Sequence, residues 1–293
     1  MTALQEDSAD SAAGGYGPDR NWPASLDLEF APRNGRTVLT RMDFRGPLRV
    51  QRPFYPEGQT CHAYLLHPPG GLVSGDALAI RATARPGARA LLTTPSAGKA
   101  YGADGSGAVQ SQAVRIAAED AAVEWTPMET IVFDRAKADL SVAVDLAGDA
   151  RCIGWEILCL GRPAGGRPFE TGCVVQTLEI RRDQKPLLHE RQTFPGGASV
   201  MTDNFGLAGA SVTGTLFAAG PDDVLQETLA MVRKALAPAP GAVCASTHRR
   251  GVLLTRYRGN DAEEARRLFA LAWAEIRPVL LGREACPPRI WTT

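Results

Sequence analysis

Three carboxylates stand five residues apart in EWTPMETIVFD: Glu124, Glu129 and Asp134. Two carboxyls with separated pKa values in one pocket can divide acid and base work, so Glu129 and Asp134 form a candidate hydrolytic pair. An extended chain broken by Pro127 does not by itself bring such residues to one face. A fourth acid, Glu156, lies within the apolar stretch IGWEILCLG. A carboxylate there must be paired, hydrogen-bonded or wet. It sits either on an edge strand with one face in water or on the wall of an internal wet passage. His62 and His67, five apart in a strand-to-turn segment, point to opposite faces, which argues against a shared metal. Lys99 and Tyr101 in TTPSAGKAYG read as a surface loop or as a polar contact site.

Familiar catalytic signatures are missing from the sequence. It contains no GxSxG, HExxH or P-loop, and no GxGxxG between a strand and a helix. The six cysteines form no CxxC and match no zinc-finger spacing. Most fall in apolar strand patterns, as Cys152 and Cys159 do, and read as reduced core thiols of a cytoplasmic protein. Lys+Arg and Asp+Glu are both 32, giving a formal net charge of zero. That excludes the basic footprint of a nucleic-acid binder and removes self-repulsion as a guard against association. No apolar run approaches the roughly 18 residues of a membrane span, and the N-terminus lacks the apolar core of a signal peptide.

The elements that must position these residues are mainly strands. Residues 1–25 are small and polar and are expected to be disordered; residues 26–293 are expected to form one β-rich domain. ALAIRATA alternates cleanly, and CVVQTLEIRRDQKPLLHERQTF reads as a hairpin turning at RRDQK. PGARALLTTP, EDAAVEWTP and GDARCIGWE share a plan of turn, alanine and short apolar strand. Their alanines, Ala88, Ala121 and Ala150, are 33 and then 29 residues apart. Similar units at that spacing suggest stacked coils or layered sheets. Two helices are expected near the C-terminus, over 221–236 and 260–282, with Pro278 limiting the second. The tail CPPRIWTT is expected to be extended. In HPPGGLVSGD, two prolines exclude helix and two glycines allow a tight crossover in a β core. The fold class is thus mainly β, with layered or β-helix-like sheets and two C-terminal helices.

Five blocks, HPPGGLVSGD, LLTTPSAGKAYG, EWTPMETIVFD, GWEILCLGRPAGG and PRIWTT, occur in this order. Together they resemble the signature blocks of the urease accessory protein family UreD, also called UreH, from about Leu28 to the C-terminus. The resemblance implies a scaffold rather than an enzyme, with a helix-poor, layered β fold. It implies binding to apo-urease and UreF, recruitment of the GTPase UreG through UreF, and delivery of nickel(II) in transit, with no tightly bound cofactor. His67, Gly70, Gly71 and Asp76 fall on the first block, Lys99 and Tyr101 on the second, Glu129 and Asp134 on the third, and Glu156 and Arg162 on the fourth. The family is thought to pass nickel through an internal water-filled passage; Asp76, Glu129 and Glu156 are the carboxylates expected near it. Oxygen ligands suit weak guidance of nickel without a closed cage. Ser74 stands where the family pattern has Gly, SAGKAYG where GATKFYRS is usual, and TPMET where LPQET is commoner, so partner contacts of the second block are those most open to change. The rival readings are the Glu129/Asp134 hydrolase and a β-rich binding module unrelated to urease.

Overall fold

A computed structural model of the protein describes residues 20–292. Two sheets pack face to face. The first runs, edge to edge, Lys185–Pro195, Cys173–Arg182, Lys137–Ala147, Gln110–Glu119, Asp76–Ala84, Trp22–Arg33 and Arg36–Arg45. The main path of the second runs Val243–Arg249, Val252–Gly259, Val212–Ala219, Arg151–Arg162, Ala122–Trp125, Arg89–Thr93, Cys61–Leu66 and Arg49–Val50. Strand begins at Trp22, so Trp22–Ser25 are ordered β structure rather than part of the N-terminal segment. The rest of the expected disordered segment, residues 1–19, lies outside the described residues.

The alanine echo is the coil repeat. Each turn of the chain lays one strand on the first sheet and the next on the second. Asp76–Ala84, Gln110–Glu119 and Lys137–Ala147 stack in parallel, and so do Arg89–Thr93, Ala122–Trp125 and Arg151–Arg162. Arg89, Ala122 and Arg151 align in one row. The three preceding alanines are buried at the corners, where the Ala122 amide donates to Ala88 O and the Arg151 amide to Ala121 O. Only a small side chain fits where the chain passes from one layer to the other. The Cys173–Pro195 hairpin turns at Asp183 and Gln184, with φ of 48° and 66°, the primed geometry that matches strand twist.

Leu26, Leu78, Ile80, Ile116, Val142, Leu92, Trp125 and Leu158 fill the space between the sheets. A second core lies on the outer face of the second sheet, where helices Asp222–Ala235 and Ala262–Leu281 cover Ile153, Trp155, Leu216 and Leu253. The second helix starts at Asp261, whose side chain accepts from the amides of Glu263 and Glu264. Pro278 does not stop it. The helix continues to Leu281 and ends at Gly282, φ 67°. Pro278 loses one amide bond near the C-terminus, and packing of Trp273, Ile276 and Leu280 keeps the last turn in place. Two further corrections are small: a one-turn helix forms at Ser199–Thr202, and the tail closes in a 3₁₀ turn at Arg289–Thr292 instead of staying extended. Among the described residues, no helix is long and apolar enough to cross a membrane.

Candidate functional site

Three short segments lie side by side at one end of the second sheet: Gly98–Ala100, Thr130–Val132 and the 158–160 part of Arg151–Arg162. Ala100, Val132 and Leu160 align and point into the core. Strand alternation therefore turns Lys99, Ile131 and Cys159 to the outer face. Beside them the rings of Tyr101 and Phe133 meet at a tilt, centroids 5.0 Å apart and planes 50° to one another, and the Arg162 guanidinium lies 4.7 Å over Phe133. Three sequence blocks thus meet in one half-buried patch of aromatic and cationic groups. Phe133 is a member that the sequence reading did not single out, although it lies between two residues of its block that were named, Glu129 and Asp134.

The glycine-rich turn is the buttress of this patch. Gly70 has φ 77°, and its amide donates to His67 O at 2.8 Å. Leu72 then bonds across to the second block, its amide to Lys99 O at 2.7 Å and the Tyr101 amide to Leu72 O at 2.9 Å. A Cβ at Gly71 would stand 2.5 Å from Tyr101 Cε2 and 2.9 Å from Lys99 Cβ, so only glycine lets the turn lie against that strand. Ser74, the departure from the family pattern, is buried and accepts the Asp104 amide on Oγ at 3.0 Å. Behind the turn, between the sheets, is a cavity of about 390 Å³ lined by His67, Leu72, Ile80, Gln112, Thr130 and Leu140. Burial lowers the His67 pKa, and nearby Asp76 opposes this.

The three carboxylates expected near a passage occupy three different environments. Asp76 closes the glycine-rich turn, accepting the Val73 amide at 2.9 Å. Glu129 lies towards the long helix, paired with Arg266 at 2.8 Å. Glu156 points between the sheets. Its strand is flanked by Ala122–Trp125 and Val212–Ala219, so the edge-strand reading is wrong. Glu156 accepts the Trp125 indole N–H at 2.6 Å. It shares a cavity of about 20 Å³ with Gln176, Glu190, Gln192 and Thr215, room for about one water. Burial raises its pKa to about 7, although the Trp125 bond favours the charged form. Beside it Glu190 pairs with Arg256 at the side of the two sheets. Among the described residues no group of three or more His, Cys, Asp or Glu is placed to hold a metal.

The acid/base reading of Glu129 and Asp134 does not survive the geometry. Glu129 is committed to Arg266. Asp134 Oδ1 accepts the Glu170 amide, the Thr171 amide and the Thr171 hydroxyl at 2.7–3.1 Å. Burial works against its ionisation, but these bonds prevail and lower its pKa. Asp134 is a turn clamp.

A buried network escaped the sequence reading. Glu124, inaccessible to solvent, accepts from Trp273 Nε1 at 2.7 Å, Arg277 Nε at 2.9 Å and Arg283 Nη2 at 3.0 Å. Arg277 reaches on to Glu57 at 2.7 Å, and Glu57 meets His62 Nε2 at 2.6 Å. Burial raises the Glu57 pKa, but the bonds from His62 and Arg277 outweigh it and bring it down to about 2. The available signal was an arginine on the apolar stripe Trp273–Ile276–Leu280, where a charge needs a buried partner. This clasp holds the C-terminal helix on the sheet and is structural.

The comparisons with known proteins agree along the whole described chain. The family model described as UreD urease accessory protein matches residues 23–292. A urease accessory protein UreD of Pseudoalteromonas translucida (strain TAC 125) is 44% identical over 293 residues, covering 97% of this chain and 96% of that protein. That of Dechloromonas aromatica (strain RCB) is 47% identical, covering 93% and 95%, and that of Marinobacter nauticus (strain ATCC 700491 / DSM 11845 / VT8) is 45% identical over the full length of both. These relatives carry the name of an accessory protein, not of a catalyst. The layered coils, the four blocks joined at one end of the sandwich and these matches have one explanation: the chain belongs to the UreD urease accessory protein family.

Proposed function

We propose that this protein is a cytoplasmic scaffold in urease maturation. It binds apo-urease and UreF, engages the GTPase UreG through UreF, and helps deliver nickel(II), the cargo, to the urease active site. Family membership over residues 23–292 is the observation that carries the reading. The patch of Tyr101, Phe133 and Arg162 supports a role in protein contact, because aromatic and arginine side chains dominate binding hot spots. Glu156 and its polar neighbours support a role on the nickel route: they are oxygen and amide donors between the sheets, too few to trap the ion. Asp76 and Glu129 are assigned to the same route with weaker geometric support, since each already has a protein partner.

The test is co-expression of the tagged chain with its host's apo-urease and UreF, followed by nickel-dependent urease activation. Co-elution of both partners, with activation that requires this chain, is the expected result. Glu156→Gln is expected to keep binding and to slow activation, and Glu129→Gln is the parallel variant that spares the fold around Arg266. Soluble, folded chain that retains neither partner overturns the scaffold and leaves a binding module that serves another protein.

A further inference from the structure

Two guanidiniums attend the Tyr101–Phe133 ring pair, and neither has an acid. Arg162 lies over Phe133 at 4.7 Å. Arg135 lies against Gly102, the residue after Tyr101, where a Cβ would stand 3.6 Å from both Nε and Nη2. Lys99 is two residues before Tyr101, and Lys137 reaches Gly107, where a Cβ would stand 3.7 Å from Nζ. Among the described residues none of these four cations forms an ion pair. Of the acids on the same turns, Asp134 holds the Glu170 and Thr171 amides through Oδ1, and Glu170 pairs with no cation.

The backbone that carries these groups is laced together. The Phe133 amide donates to Ala100 O at 2.9 Å, the Ala103 amide to Arg135 O at 3.0 Å, and the Arg135 amide to Thr171 O at 3.0 Å. Arg135 holds φ 68°, a left-handed conformation that favours glycine over an L side chain. Backbone geometry alone would therefore place glycine here. What arginine adds is an exposed guanidinium beside the rings. Rings and cations on an ordered backbone give up little freedom on association.

The chain as a whole is neutral, so this excess of positive charge is local and gives no footprint for nucleic acid. Two copies meeting through it would set cation against cation, which like-charge repulsion disfavours. Carboxylates are the groups that satisfy it. We infer that Tyr101, Phe133, Arg135 and Arg162 form the docking site for an acidic surface segment of apo-urease. An apolar group of that segment lies on the ring pair and its carboxylates meet the two guanidiniums, with Lys99 and Lys137 widening the positive field. The choice of occupant rests on the scaffold reading. In that reading the ion is gathered at Glu156, beside Glu190, whereas Asp76 and Glu129 are engaged by the Val73 amide and Arg266. The cavity of about 390 Å³ reaches exposed Gly98 and Lys99, next to the rings. An ion leaves where least holds it, and the protein seated at that mouth is the one that receives it.

The closing experiment measures Kd for apo-urease and for UreF with wild type, Arg135→Gly, Arg135→Lys, Arg162→Gln and the Arg135→Gly/Arg162→Gln double variant, across a range of salt. Arg135→Gly is expected to raise Kd for apo-urease at least about tenfold while Tm stays near wild type, because glycine accepts φ 68°. Arg135→Lys should recover part of the affinity, and the double variant should show a flatter salt dependence than wild type. Complex formation with apo-urease at wild-type strength by Arg135→Gly and by the double variant overturns the inference and leaves the scaffold intact. Loss of UreF in place of apo-urease gives the site another occupant and overturns the inference as stated. A wild-type chain that binds neither protein overturns the scaffold reading itself.

Discussion

Trp291 donates its indole N–H to Thr93 Oγ1 at 3.0 Å, joining the last sequence block to the second across 198 residues of sequence. Its ring also lies 5.4 Å from Trp155 and 5.7 Å from Trp273. The fourth block and the C-terminal helix are tied to the same point. Trp155 in turn donates to Pro127 O at 2.8 Å in the third block. The tail is thus part of the core's outer wall.

Trp291→Ala removes two aromatic contacts and one hydrogen bond. We expect a loss of about 3 kcal/mol, seen as a lower urea midpoint at unchanged m. A midpoint equal to wild type would mean that the tail is dispensable for the fold.

Arg277→Met leaves Glu124 with the Trp273 indole and with Arg283 as its one remaining ion partner among the described residues, and takes an ion partner from Glu57. Removing one side of a buried ion cluster costs about 3–5 kcal/mol. Adding Glu124→Gln should recover part of that loss, because the stranded charge is gone. A double mutant no more stable than Arg277→Met, measured by thermal unfolding, refutes the account.

Glu156 titrates near 7 in the folded chain against an ordinary value of 4.5. The folded state therefore binds the extra proton between those values. Stability from this group is full below about 4.5 and falls as pH rises through 7. Glu156→Gln should remove that fall and raise stability at pH 8 by up to about 3 kcal/mol. Glu57 has the opposite sign. Held down to about 2, it contributes stability above 4.5 that is lost as pH drops towards 2. Denaturant midpoints between pH 4 and 8 check the first effect; a flat difference between wild type and Glu156→Gln contradicts it.

Gly71→Ala must push Tyr101 and Lys99 away from the turn. We expect a loss of about 1–3 kcal/mol and weaker partner binding, since the tilted Tyr101–Phe133 pair loses its support. Partner binding at wild-type strength, in a folded variant, would separate that patch from recognition.

Much of the architecture was legible from local pattern. Alternation marked the strands, and RRDQK marked a hairpin, whose turn the structure places at Asp183 and Gln184 with positive φ. The alanine echo marked the coils because a corner between two layers admits only a small side chain. The family was readable too, since five blocks in fixed order are a property of the chain alone. The helix expected over 260–282 runs Ala262–Leu281 and passes through Pro278, because packing of Trp273 and Leu280 holds its last turn.

The candidate site was readable in its members but not in their grouping. Glu129 and Asp134 are five apart in sequence, yet one turns to Arg266 and the other to Thr171. Glu156 had two readings until its strand acquired a neighbour on each side. Arg277 found Glu124 and Glu57, more than 150 and more than 200 residues away in sequence. Elements follow from period and turn chemistry, which act over a few residues. Which charge meets which, and which side chain is left in water as Phe205 is, follows from the stacking of coils and the docking of the last helix. Those are long-range contacts, and the favourable energy of a buried ion pair exists only once its two halves are in place.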